Sequence, residues 1–227
     1  QTILDAGWRG RVVYVAAGIS PTIEGFHIRG GVADNGAGLY IAAGSAPVVR
    51  DNLIYENRAV GPESKGGGIY SAGSPVLDGD TFRNNTAMDG AGIYISGGKP
   101  TVWNNLIYRN AAVDEGGGLY LADGDVKVWN STFYSNTAVF GGAIEILGGR
   151  LSISNTIFSH NANHALYKAG GIVASDYNDW WANTPDHIFG SGVFTGAHSI
   201  LSDPLFVSSG GENFRLREGS PCIDTGD

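Results

Sequence analysis

Apolar and polar residues along this chain alternate only in short runs, and the runs return in a longer block. Within each run three to five positions alternate, which is the period of a short strand. The strings GAGLY (36–40), GGGIY (66–70), GAGIY (90–94), GGGLY (116–120) and GGAIE (141–145) recur every 24 to 30 residues. RVVYV (11–15) and AGGIV (169–173) extend the series at both ends. Aligning on these strings gives three apolar columns. The first is Val13, Leu39, Ile69, Ile93, Leu119, Ile144 and Ile172. The second is Ile23, Val49, Leu77, Val102, Val128 and Ile153. The third is Ile28, Ile54, Phe82, Ile107, Phe133 and Phe158. Three short strands per block, separated by Gly, Pro, Asn and Asp, make one coil of a solenoid.

Other repeats of similar length fail on pattern. A helical repeat needs ten or more residues at 3.6 spacing, and no such window occurs; a leucine-rich repeat needs more Leu at fixed spacings. The expected fold is all-β: a right-handed parallel β-helix of about 7–8 coils on three parallel sheets. Residues 1–173 form the coils, and 174–227 the C-terminal coil or coils and cap of the same domain.

Polar columns fit this fold. Asp51, Gly79, Asn104, Asn130 and Asn155 follow the second column by two residues, where a tight turn favours Gly and Asn in left-handed backbone. Asn57, Asn85, Asn110, Asn136 and Asn161 follow the third column by three residues. Stacked coil on coil, such amides can hydrogen-bond as a ladder, and buried they would need to. Their expected role is structural. Ala59, Ala87, Ala112 and Ala138 come two residues later, and Pro21, Pro47, Pro75 and Pro100 lead into the second strand.

Composition narrows the function. The 36 glycines and the few charged residues, 16%, describe a β-and-turn protein, while 42% hydrophobic residues suffice for a core. A net charge of −8 argues against nucleic acid as partner. No apolar run is long enough to span a membrane, and a single cysteine, Cys222, excludes an internal disulfide framework. The abrupt start at Gln1 reads as the middle of a longer protein.

Gly-Gly-Ala-Ile (141–144) and the Phe-x-x-Asn units Phe82/Asn85, Phe133/Asn136 and Phe158/Asn161 resemble the repeats of polymorphic outer-membrane proteins. SDYNDWWAN (175–183), SDPLFV (202–207) and FRLREGSPCIDTGD (214–227) are similar to the end of choice-of-anchor Q domain proteins. The resemblance implies a secreted or surface-displayed protein and assigns no activity.

Candidate chemistry sits on the outward positions. Tyr14, Tyr40, Tyr70, Tyr94 and Tyr120 stack along the first strand, followed by Glu145. The second strand presents Glu24, Arg50, Asp78, Trp103, Trp129 and Ser154; the third presents Arg29, Tyr55, Arg83, Tyr108, Tyr134 and Ser159. In-register rings can simply brace a sheet. Exposed, they form a platform for sugar rings or a protein partner, and Trp103–Trp129 is the pair least suited to water. These columns favour a non-catalytic carbohydrate- or partner-binding spacer at the cell surface, with a polysaccharide or another surface protein as partner. The alternative is a polysaccharide lyase or hydrolase acting on acidic glycans. Its support is the acidic loop column Asp34, Glu63, Asp89, Asp114 and Glu115, which suits weak Ca²⁺ binding; otherwise no cofactor is implied. Lys65 is the sole base near it. A second acidic group, Asp176, Asp179 and Asp186, mixes with Trp180, Trp181 and His187 in the cap, where turn-forming is the plainer role. The five histidines fall in different columns, which disfavours zinc, and Cys222 reads as a small buried hydrophobe. Finally, the N-terminal coil would leave Val13 and Val15 at an open end. Cover from upstream coils, or end-to-end self-association through that face, is the expectation.

Overall fold

A computed structural model describes residues 2–226. Among them there is no helix: strands wind into a right-handed parallel β-helix on three main sheets. The first sheet has eight strands, from Val13–Val15 to Ile188–Phe189; the second has seven, from Thr22–Glu24 to Ile172–Asp176. The third has eight, from Thr2–Asp5 to Asp179–Trp181. The columns are in register as read: Ile69 pairs with Leu39 and Ile93, Leu77 with Val49 and Val102, Phe82 with Ile54 and Ile107. A short fourth ladder, unread in the sequence, joins Val32–Ala33, Arg58–Ala59, Thr86–Asp89 and Ala111–Glu115 where the small alanines lie.

One repeat was misplaced. Ile172 does not continue the first column. It pairs with Arg150 in the second sheet and is exposed, while Leu166 takes the place beside Ile144. The glycines of AGGIV imitate the repeat string, but here they turn into the second strand. The strand Ile172–Asp176 therefore runs across position 173, and the stack continues to Phe189.

The interior is a single apolar column filled layer by layer. Phe133, Phe158 and Trp180 lie fully buried and stacked, with centroids 5.1 and 4.3 Å apart. Trp180 ends the column, its backbone N–H donating to the Ile200 carbonyl of the segment that closes this end. At the other end Val15 is buried, and Val13 packs half-buried against the same core with Leu4 and Val12. The chain thus covers more of its first layer than its sequence implies, although Ile3, Trp8, Tyr14 and Ile19 are exposed there.

Two ladders of side chains hold the coils in register. In the expected one, each Asn donates both its backbone N–H and its Nδ2 to the Oδ1 of the next Asn. The Nδ2 bonds run Asn57 to Asn85 (3.1 Å), Asn85 to Asn110 (3.0 Å), Asn110 to Asn136 (3.0 Å) and Asn136 to Asn161 (3.1 Å). Asn183 extends the series by one rung. Each Nδ2 also donates to an otherwise inaccessible carbonyl, that of Phe82 in the case of Asn110. The glycine motif serves this ladder. A Cβ on Gly92 would lie 2.4 Å from the Gly118 carbonyl oxygen and 3.3 Å from Asn110 Nδ2. The corner column behaves as read, with Asp51, Gly79, Asn104, Asn130 and Asn155 all at positive φ.

The second ladder follows that corner: Asn52, Asp80, Asn105, Ser131, Thr156 and Asn178, all buried. At 52 and 105 an Nδ2 donates to the Ile23 and Leu77 carbonyls. Asp80 has an oxygen where they carry a donor. Its Oδ1 accepts from Asn52, but its Oδ2 has no partner among the described residues, and burial pushes its pKa up to about 7. A proton on Oδ2 restores the missing donor. The unfolded carboxyl ionises from its ordinary 3.8, whereas the folded one keeps its proton to about 7. Stability from this group is therefore complete below pH 3.8 and lost as pH rises toward 7. Asp80→Asn is expected to raise stability by about 1–3 kcal/mol at pH 8 and to flatten the decline between pH 4 and 7. Urea titrations at several pH values measure both effects.

Candidate functional site

The three outward columns share one register but not one exposure. Tyr14, Tyr40, Tyr70, Tyr94 and Tyr120 stack with centroids 4.9–5.4 Å apart and planes within 25°. Only Tyr14 is exposed, whereas Tyr94 and Tyr120 are buried. Side chains from the neighbouring turns lie over the rings. Arg11 covers Tyr14 and Tyr40, Lys65 lies 5.5 Å from the Tyr94 centroid, and Glu115 accepts from the Tyr120 hydroxyl. This column braces the sheet, the plainer of the two roles open to in-register rings, and its exposure is greatest at Tyr14.

The third column is also taken. Tyr55 is buried with Arg29 and Arg83 against it, at 5.9 and 4.8 Å. The C-terminal hairpin, Phe206–Ser208 with Asn213–Leu216, lies across the rest. Phe214 packs on Tyr108 and Tyr134, both 5.1 Å away, and Glu212 pairs with Arg109 at 2.9 Å. Tyr108 and Tyr134 therefore hold this protein's own tail. Alternation assigned their direction correctly and could not reveal a cover made by residues so far along the chain.

The tryptophans remain. Trp103 and Trp129 are register partners whose rings meet edge to face at 6.5 Å. Trp103 is 42% exposed and Trp129 half-buried, with Lys127 Nζ 5.1 Å from its centroid. Below Trp129 the column shrinks to Ser154, opening a hollow of about 340 Å³ bounded by Ser152, Ser154, Ser175, Asp176 and Tyr177. Around the corner toward the third sheet lies a second depression of about 230 Å³, which Tyr177 also lines. There Asp176 accepts from the His198 backbone N–H and meets His198 Nδ1, both at 2.8 Å. The His198 ring lies flat on Tyr177, 4.6 Å between centroids. Tyr177 was missed because the misplaced Ile172 broke the alignment; counted on from Asn155, it is the next corner residue.

Residues 6–161 match the family model described as right handed beta helix region. The chain belongs to that family. No curated protein and no solved structure matches it. The match is to the β-helix as a whole; the narrower resemblance to choice-of-anchor Q domain proteins and outer-membrane repeats rests on their motifs alone.

The acidic loop column of this β-helix is only partly assembled. Lys65, Asp89 and Glu115 are stacked by bridges, and Asp114 adjoins them. Glu145, from the tyrosine column, joins them, while Asp34 meets Lys65 through its backbone carbonyl. Burial, then the charges of Glu115, Asp114 and Asp89, push Glu145 up to about 8; burial and Glu115 push Asp89 up to about 6. Among the described residues no group of three His, Cys, Asp or Glu is placed to hold a metal ion. Glu145 is 2% exposed, between Tyr120 and Tyr167 in register, and its Oε2 has no partner among the described residues. A carboxyl so enclosed offers substrate no face. Cys222 is likewise no nucleophile. Its thiol donates to Asp179 Oδ2 at 3.3 Å and is pushed up to about 12 by burial and that carboxylate.

Glu145 holds its proton to about 8 when folded, well above its ordinary 4.5, so it too withdraws stability as pH rises through that interval. Glu145→Gln is expected to leave stability unchanged at pH 4 and to raise the melting temperature at pH 9 by a few degrees. Thermal melts at the two pH values decide it.

Proposed function

We propose that this β-helix is a non-catalytic, secreted or surface-displayed module that binds a polysaccharide across its second sheet. One observation carries the reading: the register pair Trp103 and Trp129 runs into a concave, hydroxyl-lined surface that Trp129 itself borders. Indole faces suit the apolar faces of sugar rings, and serine hydroxyls with a carboxylate supply directional partners for sugar hydroxyls. The strand spacing of ~4.8 Å per coil gives a stretch of about 14 Å from Trp103 to Tyr177, which matches an extended ligand better than a small molecule. The net charge of −8 disfavours nucleic acid.

A lyase or hydrolase of acidic glycans needs an accessible acid and base. Here Glu145 is enclosed and Lys65 lies over Tyr94. Ca²⁺ has no part in the proposal.

Trp103→Ala and Trp129→Ala are each expected to weaken binding on a glycan array by about five- to thirtyfold, equivalent to about 1–2 kcal/mol. Melting temperatures should not move, because both rings point outward. Binding unaffected in the double variant would remove the tryptophans from the account. Turnover of an acidic polysaccharide that is lost in Asp89→Ala would replace it with the enzymatic alternative.

A further inference from the structure

Seven successive corners join the second sheet to the third, at Gly25, Asp51, Gly79, Asn104, Asn130, Asn155 and Tyr177, all with φ between 49° and 73°. Six are Gly, Asp or Asn, the residues that tolerate left-handed backbone. The seventh is a tyrosine, for which that conformation is an outlier. Such strain persists where surrounding contacts fix it. The contacts here are specific. Asp176 accepts the Tyr177 N–H at 3.0 Å while binding His198 twice, and His198 lies parallel to the phenol ring, 9° between planes. The ring is thereby set at the bend between the two depressions and lines both.

The chemistry of the second depression is that of a single sugar ring. Ile157 and Ile200 give it apolar surface, while Asn130 and Thr132 bring an amide and a hydroxyl to its wall. At about 230 Å³ it is below the range of pockets for larger ligands. Its carboxylate is Asp179, the hollow's is Asp176, and neither Lys nor Arg lines either depression among the described residues. A uronic acid would bring its carboxylate beside these acids, where His198 is already paired with Asp176 and Lys127 is held against the Trp129 ring. We infer that the tryptophan face and the corner pocket are one continuous site that takes the end of a neutral glycan, with Tyr177 as the ring at the bend. This deepens the glycan reading above and rests on it.

The test is calorimetry on the whole chain with neutral gluco-, manno-, galacto- and N-acetylglucosamine tetrasaccharides and with tetragalacturonate. At least one neutral tetrasaccharide should bind, and tetragalacturonate should bind at least tenfold more weakly. Tyr177→Asn places in this corner the residue native at 104, 130 and 155, so it should keep or raise the melting temperature while weakening the neutral sugar at least tenfold. Tyr177→Phe, which retains the ring, should bind as the parent does. Wild-type affinity in Tyr177→Asn, together with loss in Trp103→Ala, would overturn this inference and leave the glycan reading standing. The reverse pattern would overturn the tryptophan reading and keep the pocket. Tetragalacturonate binding as well as the neutral sugars would overturn the assignment of sugar class, and binding of no tetrasaccharide would overturn both.

Discussion

Six successive coils of this protein each turn on a buried amide whose hydrogen-bonding groups are satisfied by the neighbouring coils. The asparagines from Asn57 to Asn183 each receive two donors at Oδ1 or give two from Nδ2, and none has water as an alternative. Because an unpaired buried polar group costs about 1–3 kcal/mol, a coil shifted by one residue would lose several such bonds at once. The ladder therefore fixes register more strictly than the apolar columns do. Isoleucine, leucine and phenylalanine exchange places in those columns without disturbing it. The residues just before the ladder bear this out. Glu56, Arg109, Ser135 and His160 all adopt left-handed backbone, with no glycine to ease it.

Strict register has a consequence for the surface. Identical outward positions are stacked, so aromatic residues become columns and carboxylates become piles of like charge. The protein meets the first by covering rings with arginine, lysine or its own C-terminal hairpin. It meets the second by enclosing Glu145, whose carboxyl holds its proton to about 8. What remains uncovered is the lower part of the second sheet, where large indoles give way to serines and the corner tyrosine. The contrast between covered and uncovered columns, rather than the presence of aromatics, marks the candidate site.

The coil repeat, the three columns, the corner residues and the ladder were all legible in the sequence, because each is a periodic requirement imposed on every coil. Three things were not. The AGGIV string matched the repeat in letters but served a different turn, which displaced Ile172 and hid Tyr177. The cover over Tyr108 and Tyr134 comes from residues far along the chain, and no local pattern encodes it. Glu145 is visible in sequence as a break in the tyrosine column. Its assembly with Glu115 and Asp89 depends on how the adjacent turn folds over, and the short fourth ladder that shapes this turn has only two residues per strand in places. The second ladder escaped for a further reason: Asn, Asp, Ser and Thr share its positions, so it has no constant letter.

Hydrogen exchange tests the central claim most directly. The backbone N–H groups of Asn57, Asn85, Asn110, Asn136 and Asn161 donate to side-chain oxygens rather than to sheet carbonyls. If the ladder is the element that holds the coils together, these amides and their Nδ2 groups should exchange only by global unfolding, as slowly as the most protected core strands. Exchange of the ladder amides at the rate of exposed turns, with the core strands still protected, would contradict it and leave apolar packing as the sole source of register.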